Sequence, residues 1–404
     1  MQSSGIYDKI DKIGATMKFD ELKEKDKNFI AGTYNRFSAE IFEGQGATLR
    51  SSDGREYIDF GSGIAVNSFG VNDEEWKIAV IEQLNRVQHA CNLYYTRPQA
   101  ELAEMLCEKT GAKKVFFSNS GAEANECAIK AARKYSFDRY GEGRFRIVTL
   151  KNSFHGRTLA TLAATGQPAM HRCFKPMLEG FSYADPTFDG VRRQCGEGTC
   201  AVMLELIQGE SGVNPLDAEE VKKIESFCKK RDILLIIDEV QTGNGRTGKL
   251  YAYEHYKISP DIVTTAKGLA GGLPLGATMF FDKTENSFSA GDHGSTFGGN
   301  PVVCAGALSI LKRLDEKLLL EVQGKGAYMT THLSRIKNVV RVTGMGLMLG
   351  LEITKNARDI AEKCLERGLI VLTAKDKLRL LPPLTIGKGE IDAGLKILNE
   401  VLSE

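Results

Sequence analysis

The chain has 404 residues, 42% apolar and 26% charged, an ordinary globular composition that excludes a largely disordered protein. With 53 Lys+Arg against 52 Asp+Glu, the formal net charge is +1, so no global field is available to hold nucleic acid or an anionic membrane. The longest aliphatic run, Ile233 to Ile237, falls far short of the roughly 18 residues a membrane helix needs. The N-terminus interleaves lysines with acids and has no apolar core, so neither a secretory signal nor a transit peptide is expected. Nine cysteines contain no C-x-x-C, which speaks against a disulfide framework or zinc ribbon and for a reducing cytoplasm.

In chain order, residues 1–30 read as helical and charged. Gly44 to Gly63 reads as short strands joined at Asp53-Gly54. Val115-Phe116-Phe117 is a short strand, followed by an Ala-rich helix from Ser120 to Tyr135. Further strands are expected at Arg146–Leu150, Ala201–Leu206, Ile233–Ile237, Asp261–Thr265 and Ala277–Phe281, with a helix over Asp217–Lys230. The pairs Ser120/Glu123 and Asp217/Glu220 have capping-box spacing. Strand, helix, strand at this rhythm predicts an α/β fold with a mostly parallel sheet covered on both faces. From about Asn300 the pattern changes: a helix Pro301–Asp315, a charged helix, then strands near Arg341 and Leu347–Ile353. This predicts a smaller α+β domain.

Each middle strand runs into a polar or glycine-rich cluster: Ser118 to Glu123, Asn152 to Arg157, Gln208 to Glu210, Asp238 to Gln241, and Ala266 to Gly268. In a parallel sheet these ends share one edge, where ligands bind. SNSGAE could be a plain helix start or an anion site on unshielded backbone amides. GNGRTG, Gly243 to Gly248, fits a dinucleotide fingerprint, but four polar-to-apolar residues separate it from its strand and no clear helix follows, so a flexible or closely packed loop is the stronger reading. Asp238 follows five aliphatic residues and needs a cationic partner, whether a salt bridge or a protonated ring nitrogen. Lys267, set among small residues after an apolar strand, suits a desolvated amine able to form a Schiff base. Phosphate cradle, acid and lysine are the parts that pyridoxal phosphate requires.

The chain resembles the class III, pyridoxal-phosphate-dependent aminotransferases from about Gly44 to Leu384. The motifs that carry the resemblance are SNSGAEANECAIKAARKY, FHGRTLATLAATGQ, IIDEVQTGNGRTGKLYAYEHY, PDIVTTAKGLAGGLPLGA, GDHGSTFGGNP and LRLLPPL. FHGRT and GDHGSTFGGN favour the branch acting on acetylornithine. The resemblance implies fold type I: a large pyridoxal 5'-phosphate-binding domain over 56–298, a small α+β domain over 299–404, and an N-terminal segment, 1–55, packed with the small domain.

It also implies roles. Lys267 would hold the cofactor aldehyde and move the proton. Asp238 would pair with the ring nitrogen, with Glu239, Val240 and Gln241 beside it and Phe154 stacked on the ring. Ser120, Gly121 and Ala122 would hold the phosphate. Thr296 would reach the phosphate of a neighbouring subunit, with Ser295 at the same shared site, so a homodimer is implied. Arg157 and Arg379 would bind substrate carboxylates, and Glu210 would neutralise Arg379 when it is not needed. No metal, nucleic acid or membrane is expected. The implied reaction moves the δ-amino group of N2-acetyl-L-ornithine to 2-oxoglutarate; ornithine, succinylornithine or 4-aminobutyrate are alternative substrates, and a nicotinamide-dependent oxidoreductase using GNGRTG is a distant alternative. Two departures stand out. Gly70-Val71-Asn72-Asp73-Glu74 replaces the usual Gly-His-x-His-Pro, which puts that loop's local conformation in doubt. Gly63 to Asn67 lacks the tyrosine of ornithine aminotransferases, which leaves room for an acylated amine.

Overall fold

A computed structural model describes residues 17–404. The N-terminal helix is seen over Phe19–Phe29; the earlier part of the expected helical segment lies outside the described residues. A seven-stranded sheet forms the centre. Its spatial order is Lys114–Ser118, Gly276–Phe280, Ile262–Thr265, Leu234–Asp238, Thr199–Leu204, Arg146–Leu150 and Phe181–Ala184. The expectation of a mostly parallel sheet is met with one correction. Gly276–Phe280 runs antiparallel to both of its neighbours, so the rhythm breaks there. Because two reversals cancel, Lys114–Ser118 again points the same way as the rest.

The central strands are apolar without alternation because both of their faces are covered. Every residue of Thr199–Leu204 and Leu234–Asp238 is buried. The helix Gly121–Tyr140 covers one face. Its small residues Ala124, Cys127, Ala128, Ala131 and Ala132 let it approach Ile147, Met203, Leu234 and Ile236 closely. The opposite face packs into the main core with Leu204, Leu235, Ile237 and Val263. Each such fully buried aliphatic side chain contributes about 1.5–3 kcal/mol of transfer free energy.

Two further sheets lie beside the centre. Glu43–Gln45, Thr48–Arg50 and Glu56–Asp59 form a meander that Leu369–Ile370 joins in parallel, so N-terminal and C-terminal chain share one sheet. Val339–Met345, Met348–Ile353, Lys377–Leu380 and Leu372–Ala374 make an antiparallel sheet, flanked by the helices Glu316–Leu333, Ala357–Glu366 and Lys388–Ser403. Among the described residues no helix is long and apolar enough to cross a membrane, and no cluster of metal-ligating side chains occurs.

The capping boxes form by half. Ser120 Oγ accepts from Glu123 N at 3.2 Å, but the Glu123 carboxylate reaches past the cap to Asn119 N at 2.9 Å. Asp217 accepts from Glu219 N and Glu220 N, while Glu220 accepts from Phe188 N across the interface to a neighbouring helix. The unusual Gly70–Glu74 loop is stably built. Asp73 caps the helix Glu74–Leu84 through Trp76 N and takes both terminal nitrogens of Arg313 at 2.6 and 3.0 Å. Where the resemblance leads one to expect His-Pro, Asp73-Glu74 thus supplies a side-chain cap and an ion pair.

Candidate active site

The C-terminal strand ends converge as expected. A cavity of about 680 Å³ opens on that sheet edge, lined by Ser120, Gly121, Ala122, Phe154, Arg157, Glu210, Asp238, Val240, Gln241 and Lys267, among others. Five separate stretches of chain thus supply one site, at the place where parallel sheets bind ligands.

The helix Gly121–Tyr140 starts at the cavity wall, and the amides of its first turn have no partners within the helix. Glycine is required at its first position by close approach: a Cβ on Gly121 would lie 2.6 Å from Val240 Cγ1. Bare amides and the positive helix end are groups that could hold a phosphate dianion.

Asp238 is 4% exposed and fully engaged. Its Oδ2 accepts from Asn125 Nδ2 and lies 2.8 Å from His155 Nδ1, and its Oδ1 accepts from Val240 N at 3.0 Å. Asn125 is itself fixed by Thr264 Oγ1 at 2.7 Å. With the Asp238 carboxylate facing Nδ1, the other ring nitrogen of His155, Nε2, is buried without a partner among the described residues. Three donors thus fix one buried carboxylate in the cavity lining.

Lys267 sits at the mouth of the strand Ile262–Thr265 with φ +40, a left-handed conformation that costs a non-glycine residue about 1–3 kcal/mol. Burial lowers its amine pKa; Glu210, Asp238 and Glu205 pull the other way, and Arg379 adds to the lowering. A buried amine of this kind is unprotonated more often than a surface lysine, as a nucleophile or base must be.

Arg379 is 3% exposed on the strand Lys377–Leu380. Its Nη1 donates to Glu210 Oε1 at 2.6 Å and to Gln241 Oε1 at 3.2 Å, while its Nε is buried without a partner among the described residues. Burial alone would raise the Glu210 carboxyl, but the Arg379 guanidinium outweighs it, helped by Lys267 and Gln241, and the net shift is downward. Arg157 is exposed at the cavity, 5.3 Å over the Phe154 ring. Glu205, also in the lining, is pushed up to about 7 by burial, opposed by His155 and Lys267, and accepts from Phe154 N at 2.7 Å.

Four expected residues do not line the cavity. Arg379 joins it through Glu210 and Gln241. Ser295 stands beside the helix start, its Oγ within 3.1 Å of Asn119 Nδ2. Thr296 is exposed on the outer surface. Glu239 faces away: its carboxylate accepts from Tyr253 N at 2.8 Å and from Thr242 Oγ1 at 2.5 Å, because side chains alternate across a strand end and Asp238 takes the cavity side. The oxidoreductase reading of GNGRTG is overturned. Asn244, Arg246 and Thr247 are buried, Gly245 packs against Leu314 and Leu384, and no dinucleotide-binding helix follows. Sequence reasoning did not single out His155, Asn125, Glu205 or Tyr34, all in the lining. Glu205 had a readable signal, an acid directly after a fully buried strand.

Residues 29–402 match the family model described as Aminotransferase class-III. An acetylornithine aminotransferase from Haemophilus ducreyi is 48% identical over 392 residues, covering 96% of this chain and 100% of that protein. An ornithine aminotransferase structure from Toxoplasma gondii, described as having partial occupancy of PLP at its active site, superposes with a TM-score of 0.93 at 27% identity, covering 100% of this chain and 98% of that one. An N-acetylornithine aminotransferase structure from Stenotrophomonas maltophilia K279a gives 0.82 at 33% identity, covering 95% and 98%. A lysine, an acid and a helix start meeting in one cavity, on a chain that the family model matches over residues 29–402, place this protein in the class III aminotransferases.

Proposed function

We propose that the chain transfers the δ-amino group of N2-acetyl-L-ornithine to 2-oxoglutarate, giving N-acetylglutamate 5-semialdehyde and glutamate, with pyridoxal 5'-phosphate as cofactor. The observation that carries this is the meeting of Lys267, Asp238 and the Gly121 helix start in one cavity, whose lining Glu210 neutralises the buried Arg379 beside it. The acetylornithine aminotransferase relatives support the substrate.

The residues fit the cofactor: the wall at Gly121 leaves no room for a Cβ, and Asp238 is already held by three donors. When bound, pyridoxal phosphate supplies an aldehyde that accepts and returns an amino group and a protonated ring that withdraws electron density from the reacting carbon. Ser120, Gly121 and Ala122 would hold the phosphate, Phe154 the ring face, Asp238 and Val240 the ring-nitrogen side, with Gln241 beside it. Lys267 Nζ would carry the proton from the amine-bearing substrate carbon to the cofactor's aldehyde carbon, a service worth on the order of 10²–10⁴ in rate. Arg157 binds the carboxylate of acetylornithine. Arg379, held by Glu210 while that substrate is present, is released to fork the α-carboxylate of glutamate or 2-oxoglutarate. Its Nε, without a partner among the described residues, supports a second binding edge.

A homodimer with shared sites completes this reading. Asn92 Nδ2 donates to the carbonyls of Ser295 and Gly298, so the Thr296 segment is tied to the loop bearing Leu93, Tyr94 and Tyr95. Those three and Phe297 are exposed at 88, 71, 105 and 60%, a concentration of apolar surface that favours burial against a second copy. Nine cysteines, free in this structure, support a cytoplasmic protein. The test is kcat/KM for N-acetylornithine against ornithine, with 2-oxoglutarate as acceptor. We expect N-acetylornithine to lead by roughly tenfold or more; a preference for ornithine or 4-aminobutyrate would overturn the assignment.

A further inference from the structure

The loop GNGRTG has no ligand role, yet it is buried against the active lysine. Asn244 is 2% exposed and adopts φ +57, which asparagine tolerates better than most residues. Its flanking glycines admit no side chain. A Cβ on Gly243 would lie 2.8 Å from Glu239 O and from Tyr251 Cδ1, and Gly245, at φ +85, sits against Leu314 and Leu384. The asparagine amide is thereby turned inward. Its Nδ2 donates to Thr265 Oγ1 at 2.9 Å and to Ala266 O at 3.0 Å, the carbonyl immediately before Lys267.

That carbonyl also accepts from Leu269 N at 2.9 Å, closing the tight turn, and Ser68 Oγ donates to Gly268 O at 3.1 Å on the other side. The left-handed backbone of Lys267 is therefore gripped from both flanks. The other end of the asparagine amide, Oδ1, is buried without a partner among the described residues. A residue kept only to fill space would not carry a bare buried carbonyl, so the position uses the donor. Two residues on, Arg246 donates to Pro382 O at 2.5 Å, just past the strand that carries Arg379. One short loop thus touches both the lysine turn and the chain leaving the carboxylate-binding strand.

We propose that Asn244 is a positioning residue for Lys267: its amide fixes the peptide before the lysine in the left-handed turn and so aims the amine into the cavity. The inference rests on the aminotransferase reading and deepens it. The lowered pKa of the Lys267 amine is consistent with an amine kept away from solvent, facing Glu210, Arg379, Asp238 and Glu205.

The test uses Asn244→Leu, which keeps the volume and deletes the donor, and Thr265→Val, which deletes one acceptor should the first variant fold poorly. The first readout is competitive reductive methylation of the cofactor-free chain with formaldehyde and cyanoborohydride across pH, followed by peptide mass mapping of Lys267. We expect the Lys267 titration to move up by about half a unit to one unit in Asn244→Leu, which is roughly three- to tenfold slower labelling at pH 8. Thr265→Val should move it the same way by less. Thr284→Val, buried at the opposite end of the sheet with its hydroxyl on Asp261 O, is the control for general loosening and should leave the profile in place. An unmoved Lys267 profile in both Asn244→Leu and Thr265→Val, or an equal shift in Thr284→Val, would overturn the proposal. The second readout separates the two readings. If the wild type does not take up pyridoxal phosphate on Lys267, the aminotransferase reading fails. If it does, and both variants label and load as the wild type does, only the role of Asn244 fails.

Discussion

Two glycine-bearing loops follow strands of the same sheet, and they serve opposite ends. The start of the helix at Gly121 opens on the cavity with bare amides, whereas Gly243 to Gly248 is packed solid. Both would pass as phosphate loops on pattern alone. What separates them is what stands opposite each Cα. At Gly121 the missing Cβ leaves one valine close on one side and the cavity on the other. At Gly243, Gly245 and Gly248 the neighbours are backbone, the Tyr251 ring, leucines and the Gln323 side chain. Glycine permits close approach, and the second surface decides whether the visitor is a ligand or the protein itself.

The largest expected effect tests the packed loop through its foundation. Glu239 accepts from Thr242 and Tyr253, its carbonyl accepts from Gly243 N, and burial pushes its carboxyl up to about 7 from an ordinary 4.5. An acid whose native pKa is raised contributes stability below 4.5 and loses it as pH rises through about 7. In urea denaturation at pH 5 and pH 8, Glu239→Gln should remove on the order of 3 kcal/mol of the wild type's decline between those pH values. Glu205, shifted the same way, leaves a residual slope. A pH dependence identical to wild type would mean Glu239 is ionised in the native protein.

Next comes the open loop. Gly121→Val places side-chain atoms against Val240 and should weaken pyridoxal phosphate binding roughly tenfold to a hundredfold, while the chain still folds. Equilibrium titration of the cofactor-free protein measures this, and unchanged affinity would remove the cradle. Gly245→Ala is its mirror. At φ +85, with Leu314 and Leu384 about 3.0 and 3.1 Å from the new Cβ, it should lower stability by about 1–2 kcal/mol and leave cofactor affinity alone. If it impaired cofactor binding as much as Gly121→Val, the division between the loops would collapse. The smallest effect concerns the switch. Glu210→Ala frees Arg379 permanently and should shift the ratio of kcat/KM for acetylornithine over glutamate about tenfold toward glutamate. An unshifted ratio would mean the pair does not select substrates.

Most of this architecture was readable, and the exceptions have physical causes. The fully buried strands announce themselves as unbroken aliphatic runs, and the polar clusters after them mark the ligand edge. The reversed direction of Gly276–Phe280 leaves no trace, because an antiparallel strand buried on both faces has the same composition as a parallel one. Asp238 was legible as an acid after five aliphatics, but its partners were not: Asn125 and His155 lie 113 and 83 residues away and meet it only in three dimensions. Glu239 was misplaced by neglecting the alternation of side chains at a strand end. Tyr34 reaches the cavity from a stretch outside any regular element, which no pattern predicts.

Everything here depends on which amine holds the cofactor. The decisive measurement is to incubate the purified chain with pyridoxal 5'-phosphate, reduce with borohydride, and locate the added mass by peptide mapping. The account predicts a coloured protein before reduction, one modified residue at Lys267 after it, and neither in Lys267→Ala. A chain that stays colourless, or carries the mass on a different lysine, would contradict it.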